Sequence, residues 1–157
     1  MQISYMSCSF SIQAKQKFVR QKVRKYGLAS QRKIPSFKAE ELLKENGFVI
    51  TDKNKNCLFV NGGKETMKHW LVKAMIFKIL RERGRNVGTE IEMKEGIADV
   101  IDIDNKIVYE IESEPTKKKI KEKLKLFNGA DDVFILDLKK FPNDIIEAEK
   151  YLKEKIV

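Results

Sequence analysis

Between residues 88 and 113 the sequence loses helical periodicity and breaks into three short runs rich in β-branched and aromatic residues. The runs cover 88–93, 97–104 and 106–113. Lys94-Glu95-Gly96 and Asp104-Asn105 are the turn signals between them, and Pro115 closes the third. Connections this short return the chain antiparallel, so a three-strand antiparallel meander is expected.

The flanking segments read as helices and one more strand. Residues 64–83 form a long helix, apolar on most sides over 70–80 except for Lys73 and Lys78, and Gly84 ends it. Residues 116–127 form a Lys-rich helix with Ile120, Leu124 and Phe127 as its buried stripe and Asn128-Gly129 as its stop. A strand follows at 133–138, then a helix capped by Asn143 and running to about residue 155. The order is helix, three strands, helix, strand, helix, an α/β core over residues 64–157.

Upstream, Ile12, Val19, Val23 and Tyr26 recur at near-helical spacing among Lys, Arg and Gln. An amphipathic helix with a basic face is expected there, stopped by Gly27. A second helix is expected over 35–46, with Ser36 as N-cap and Gly47 at its end. Residues 48–51 and 57–60 flank a polar turn and read as a hairpin. Two helices and a hairpin suggest a small winged-helix-like α+β unit over residues 1–61, joined to the core through Asn61-Gly62-Gly63.

The net charge of +9 is confined to the first quarter of the chain. Residues 1–39 hold nine cations and no acid, whereas residues 40–157 hold 23 charges of each sign. Such asymmetry points to a polyanionic partner. Clustered Lys15, Lys17, Arg20, Lys22, Arg24, Lys25, Arg32 and Lys33 suit nucleic-acid phosphates. A solvated tail and an organelle targeting peptide are the alternatives, the latter weakened by the excess of Lys over Arg and the lack of a small-residue cleavage site. No apolar run is long enough to span a membrane. Cys8 and Cys57 stand far apart and read as reduced thiols, so a cytoplasmic compartment is expected. Too few His and Cys are present for a zinc site.

Asp99, Glu110 and Glu112 are the chemically informative residues. If Asp104-Asn105 is a two-residue turn, Asp99 stands opposite Glu110, with Cβ atoms about 5 Å apart. Glu112 lies two residues on, so the strand pleat returns it to the same side. Opposed carboxylates repel unless a cation or proton intervenes, and Mg²⁺ or Mn²⁺ would supply that charge. An exposed sheet end, with the acids paired to Lys117, Lys118 or Lys119, is the other reading. Glu65, His69 and Lys73 follow one another at four-residue steps and are expected on one helical face.

The stretch Gly96-Ile97-Ala98-Asp99-Val100, followed by Tyr109-Glu110-Ile111-Glu112, resembles the PD-(D/E)XK nuclease superfamily. That restriction-endonuclease-like group includes archaeal Holliday-junction resolvases and small viral nucleases. The resemblance covers about residues 64–140. It implies a Mg²⁺-dependent endo- or exodeoxyribonuclease acting on DNA, double-stranded by expectation, in a prokaryotic or virus-infected cell. It also implies 5′-phosphate and 3′-hydroxyl products, and a homodimer where both strands are cut. It assigns the metal to Asp99 and Glu110, with the Ile111 carbonyl as third ligand and Glu90 or Glu65 as an additional one. Glu112 stands where the family has lysine; its role would be to order or deprotonate the water or to hold a second ion, with a compensating lysine from Lys117, Lys118 or Lys119 on the next helix. Lys117, Lys118 and Lys119 would line the DNA approach. A DNA-binding protein without catalysis, on a degenerate nuclease fold, is the alternative.

Overall fold

The computed structural model describes residues 19–22, 35–60, 63 and 65–156. Its elements are β1 (Val19–Lys22), α1 (Ser36–Glu45), α2 (Met67–Glu82), β2 (Val87–Met93), β3 (Gly96–Asp102), β4 (Ile107–Glu112), α3 (Lys117–Leu126), β5 (Asp132–Asp137) and α4 (Ile145–Lys155). The fold is mixed α/β. Strands β5, β4, β3 and β2 form the central sheet, and β1 extends it beyond β5.

The meander forms as expected. β2 pairs antiparallel with β3, and β3 with β4. The β3–β4 register joins Val100 to Tyr109, Ile101 to Val108 and Asp102 to Ile107, as the two-residue turn at Asp104-Asn105 requires. β4 and β5 are parallel, so the chain must cross over between them, and α3 is that crossover.

Helices cover both sheet faces. Val72, Ile76, Ile79 and Leu80 of α2 recur at helical spacing and pack with α4 residues Ala148 and Leu152 against Val100, Tyr109, Ile111 and Phe134. Tyr109 and Phe134 face each other across β4 and β5 with ring centroids 5.3 Å apart. On the other face, Ala98, Ile101, Val108, Val133 and Ile135 meet Leu43 of α1, Phe48, Ile50 and Phe127, with Ile120 and Leu124 of α3 beside them. Phe127 completes the expected apolar stripe of the Lys-rich helix. Leu43, Phe48 and Ile50 thus share a core with the strands that follow residue 64.

Several expectations are corrected. Of the helix expected over 12–26, residues 12–18 and 23–26 lie outside the described residues, and Val19–Lys22 form a strand antiparallel to β5 instead. Pairing with β5 satisfies backbone groups that a solvent-facing helix would satisfy internally, and tertiary pairing outweighs a weak periodic signal. The hairpin over 48–60 does not form, and with it the winged-helix-like arrangement. Asn54 closes the turn instead, accepting from the Thr51 amide at 2.7 Å and donating to the Val49 carbonyl at 2.7 Å. The two arms then bond to β2 rather than to each other: Val49 N donates to Glu92 O and Asn56 N to Val87 O.

Two caps also differ. Pro35 occupies the N-cap of α1, and the Ser36 hydroxyl bonds to Asp104. Asp144, not Asn143, caps α4 by accepting from the Ile146 and Glu147 amides, both at 2.9 Å. Asn143 Oδ1 accepts from Lys68 Nζ at 2.9 Å instead.

Asp104 ties α1 to the meander. Besides Ser36, it accepts from the Asn86 amide at 2.8 Å and from Asn86 Nδ2 at 3.0 Å. Burial raises a carboxyl's pKa, but these donors outweigh it and hold Asp104 below the usual carboxylate range. A lowered value in the fold means that the stabilisation is complete above the unfolded pKa and fades as pH falls through the folded one. Asp104→Ala should therefore lower unfolding free energy by about 1–3 kcal/mol at pH 7. In urea melts the difference from wild type should narrow below about pH 4.

Candidate active site

The sheet is interrupted around Asp99. The β2–β3 register runs from Val87↔Asp102 to Thr89↔Val100, passes over Glu90 and Asp99, and resumes at Ile91↔Ala98. β3–β4 pairing stops at Val100↔Tyr109, one step short of Asp99 and Glu110. Glu90 has φ +51°, a left-handed conformation unusual for a residue with a Cβ.

Side chains fill the gap between β3 and β4. Asp99 N donates to Glu110 Oε1 at 3.0 Å, and Ile111 N donates to Asp99 Oδ2 at 2.8 Å. Each carboxylate thus takes over an amide of the neighbouring strand. The expected juxtaposition of Asp99 with Glu110 is present, but as a side-chain clasp in a break of the ladder.

Their cationic partners come from opposite helical layers. His69 on α2 places Nε2 3.4 Å from Asp99 Oδ2 and Nδ1 2.5 Å from Glu65 Oε1. Lys73, one turn further along α2, reaches Glu65 Oε1 at 2.7 Å and Glu90 Oε1 at 2.6 Å. Thr66 caps the helix by accepting from the His69 amide. That cap fixes the first turn and leaves Glu65 just outside it, folded back over His69 and Lys73. The four-residue spacing of Glu65, His69 and Lys73 brings them together as expected.

On the α3 side, Lys123 Nζ bonds to Glu110 Oε2 and lies 2.9 Å from Glu112 Oε1, while Lys119 is 3.7 Å from Glu112. Glu110 is fully buried. Lys117 and Lys118 are exposed and touch none of the three acids. Sequence reasoning does not single out Lys123. Its spacing of four residues from Lys119 is the available signal, since both then face the end of β4.

Electrostatics follow from this packing. Burial, reinforced by the charge of Asp99, pushes the Glu110 carboxyl up, and Lys123 opposes that rise. Lys123 is itself raised: burial would lower it, but Glu110 and Glu112 outweigh burial. Half-burial pulls His69 down, yet its bonds to Asp99 and Glu65 win and lift it to about 9, so the imidazole is a cation at neutral pH. Burial raises Glu90 against the pull of Lys73.

Asp99 and Glu110 are the carboxylates that would hold a divalent cation here, and Glu110 already spends Oε1 on the Asp99 amide and Oε2 on Lys123. Asp99 and Glu110 are carboxylates whose mutual repulsion an ion would relieve. Asp99 Oδ2 accepts from the Ile111 amide and lies 3.4 Å from His69 Nε2. No three His, Cys, Asp or Glu side chains among the described residues converge as a ready metal cage. Mg²⁺ needs less, one or two carboxylates with waters and substrate phosphate. Glu90 is committed to Lys73 rather than turned toward Glu110.

Arg20 and Lys22 lie on β1. Lys15, Lys17, Arg24, Lys25, Arg32 and Lys33 fall outside the described residues. Among the described residues no helix is long and apolar enough to cross a membrane. No family model, curated protein or solved structure matches this chain.

Lys123 neutralises a buried carboxylate, whereas Lys119 sits over half-exposed space. Lys123→Met should cost about 3 kcal/mol in urea unfolding, and Lys119→Met under about 1 kcal/mol. Adding Glu110→Gln to Lys123→Met should recover part of the loss, because no buried charge is then stranded.

Proposed function

We propose that this chain is a metal-dependent phosphodiester hydrolase acting on DNA. The observation that carries the reading is the clasp between Asp99 and Glu110 at the break in the sheet. The element order and the spacing of Asp99, Glu110 and Glu112 support it through their resemblance to the PD-(D/E)XK nucleases.

In this reading Asp99 and Glu110 hold Mg²⁺ or Mn²⁺, with the Ile111 carbonyl as the third protein ligand. The ion, when bound, acidifies a water and stabilises negative charge on the attacked phosphate. Glu112, at the edge of the site, orders that water and accepts its proton. Water oxygen bonds to phosphorus as the P–O3′ bond breaks, and the leaving 3′-oxygen takes a proton from solvent water, giving a 5′-phosphate and a 3′-hydroxyl. Lys123, in contact with Glu110 and Glu112, supplies the positive charge that the lysine of the family's motif would carry. Lys117, Lys118, Lys119 and the basic residues 15–33 steer and hold the DNA backbone. Cutting both strands of a duplex calls for two copies of the site, hence a homodimer.

Glu112 at the family's lysine position favours a second reading, a DNA-binding protein that does not cut. Supercoiled plasmid incubated with Mg²⁺ separates the two. Wild type should nick it. Asp99→Ala and Glu110→Ala should lose roughly a hundredfold or more of that rate while still binding DNA. Metal-dependent nicking that survives in folded Asp99→Ala contradicts the hydrolase reading, and binding without nicking by wild type supports the second.

Replacing Lys15, Lys17, Arg24 and Lys25 by Gln spares β1 and tests the basic segment. The slope of log K against log salt should shrink by roughly 0.9 for each phosphate that is no longer neutralised. An unchanged slope contradicts the role given to these residues.

A further inference from the structure

Lys73 is fully buried in the middle of α2, among side chains that pack on the sheet. A buried ammonium persists only with tightly held counter-charges. Lys73 has two: Glu65 Oε1 at 2.7 Å and Glu90 Oε1 at 2.6 Å. Both carboxylates are themselves nearly covered, at 3% and 12% exposure, so water screens neither bond well. These two acids flank Asp99 by different routes. Glu65 Oε1 also takes His69 Nδ1, which turns Nε2 toward Asp99 Oδ2. Glu90 lies at the passed-over position of β2 opposite Asp99, in its left-handed conformation.

We propose that Lys73 is a positioning residue for Asp99: by clamping Glu65 and Glu90 together, it fixes both the His69 imidazole and the broken stretch of β2 that border the Asp99 carboxylate. Lys73 does not touch the reacting atoms. It acts through its two carboxylates, and it fixes the orientation in which Asp99 Oδ2 accepts from the Ile111 amide beside His69. This inference rests on the reading of Asp99 as the metal-holding acid.

His69 is the only histidine, so its ring gives one assignable set of NMR signals. Those signals, recorded at fixed pH without metal or DNA, report the positioning independently of cleavage. In Lys73→Met they should shift, and kcat for plasmid nicking should fall about tenfold or more with KM little changed. Lys73→Arg, which keeps the charge, should restore most of kcat. Glu90→Gln, which retains the side-chain shape, should move both readouts in the same direction and carries the test if Lys73→Met does not fold. Unmoved His69 signals in a folded Lys73→Met overturn the proposal, as does wild-type kcat in that variant. A wild type that does not cut overturns the hydrolase reading, and the His69 signals then decide the positioning alone.

Discussion

Asp99 and Glu110 each use a carboxylate oxygen to satisfy a backbone amide that an unbroken sheet would have paired with a carbonyl. A sheet covered on both faces cannot leave such amides bare, since an unsatisfied buried donor costs about 1–3 kcal/mol. The clasp therefore solves a backbone problem and creates an electrostatic one. Two carboxylates are held close together, one of them fully buried. The surrounding structure answers that problem with cations: His69 from α2 beside Asp99 and Lys123 from α3 on Glu110.

The arrangement links the two helical layers through the sheet. α2 packs in one apolar cluster and α3 beside the other, and a chain of ion pairs runs from Lys73 through Glu65 and His69 to Asp99, then through the clasp to Glu110 and Lys123. Buried pairs of this kind contribute little net stability compared with apolar packing. They lie where the β2–β3 and β3–β4 pairing lapses around Asp99. The acids hold one another's strands in register while keeping negative charge where a divalent ion and a phosphate would meet.

Much of the core was legible because it rests on local signals. Turn chemistry at Asp104-Asn105 set the β3–β4 register as far as Val100 and Tyr109, and side-chain bonds beyond it bring Asp99 to Glu110. Long apolar periodicity marked α2, and the Thr116 to Phe127 pattern marked α3. The break in the ladder was not legible, because nothing in the residue types of β3 announces that Asp99 will bond to the Ile111 amide. Lys123 was hidden among six lysines of similar spacing, and only the three-dimensional angle of α3 over β4 selects it. Errors concentrated before residue 64, where short segments take their structure from pairing partners far along the chain. Val19–Lys22 becomes a strand because β5 offers an edge. Residues 48–60 lie along β2 because Asn54 closes their turn and the amides of Val49 and Asn56 bond to carbonyls of β2.

The central claim is that Asp99 and Glu110 hold one divalent cation between them. Crystals soaked in Mn²⁺ and measured at the manganese absorption edge would locate that ion by its anomalous scattering. The account predicts a single strong peak about 2.2 Å from oxygens of both carboxylates, absent from crystals of Asp99→Asn. A peak bound elsewhere, or a seam that stays free of manganese while Lys123 keeps its place on Glu110, would contradict it.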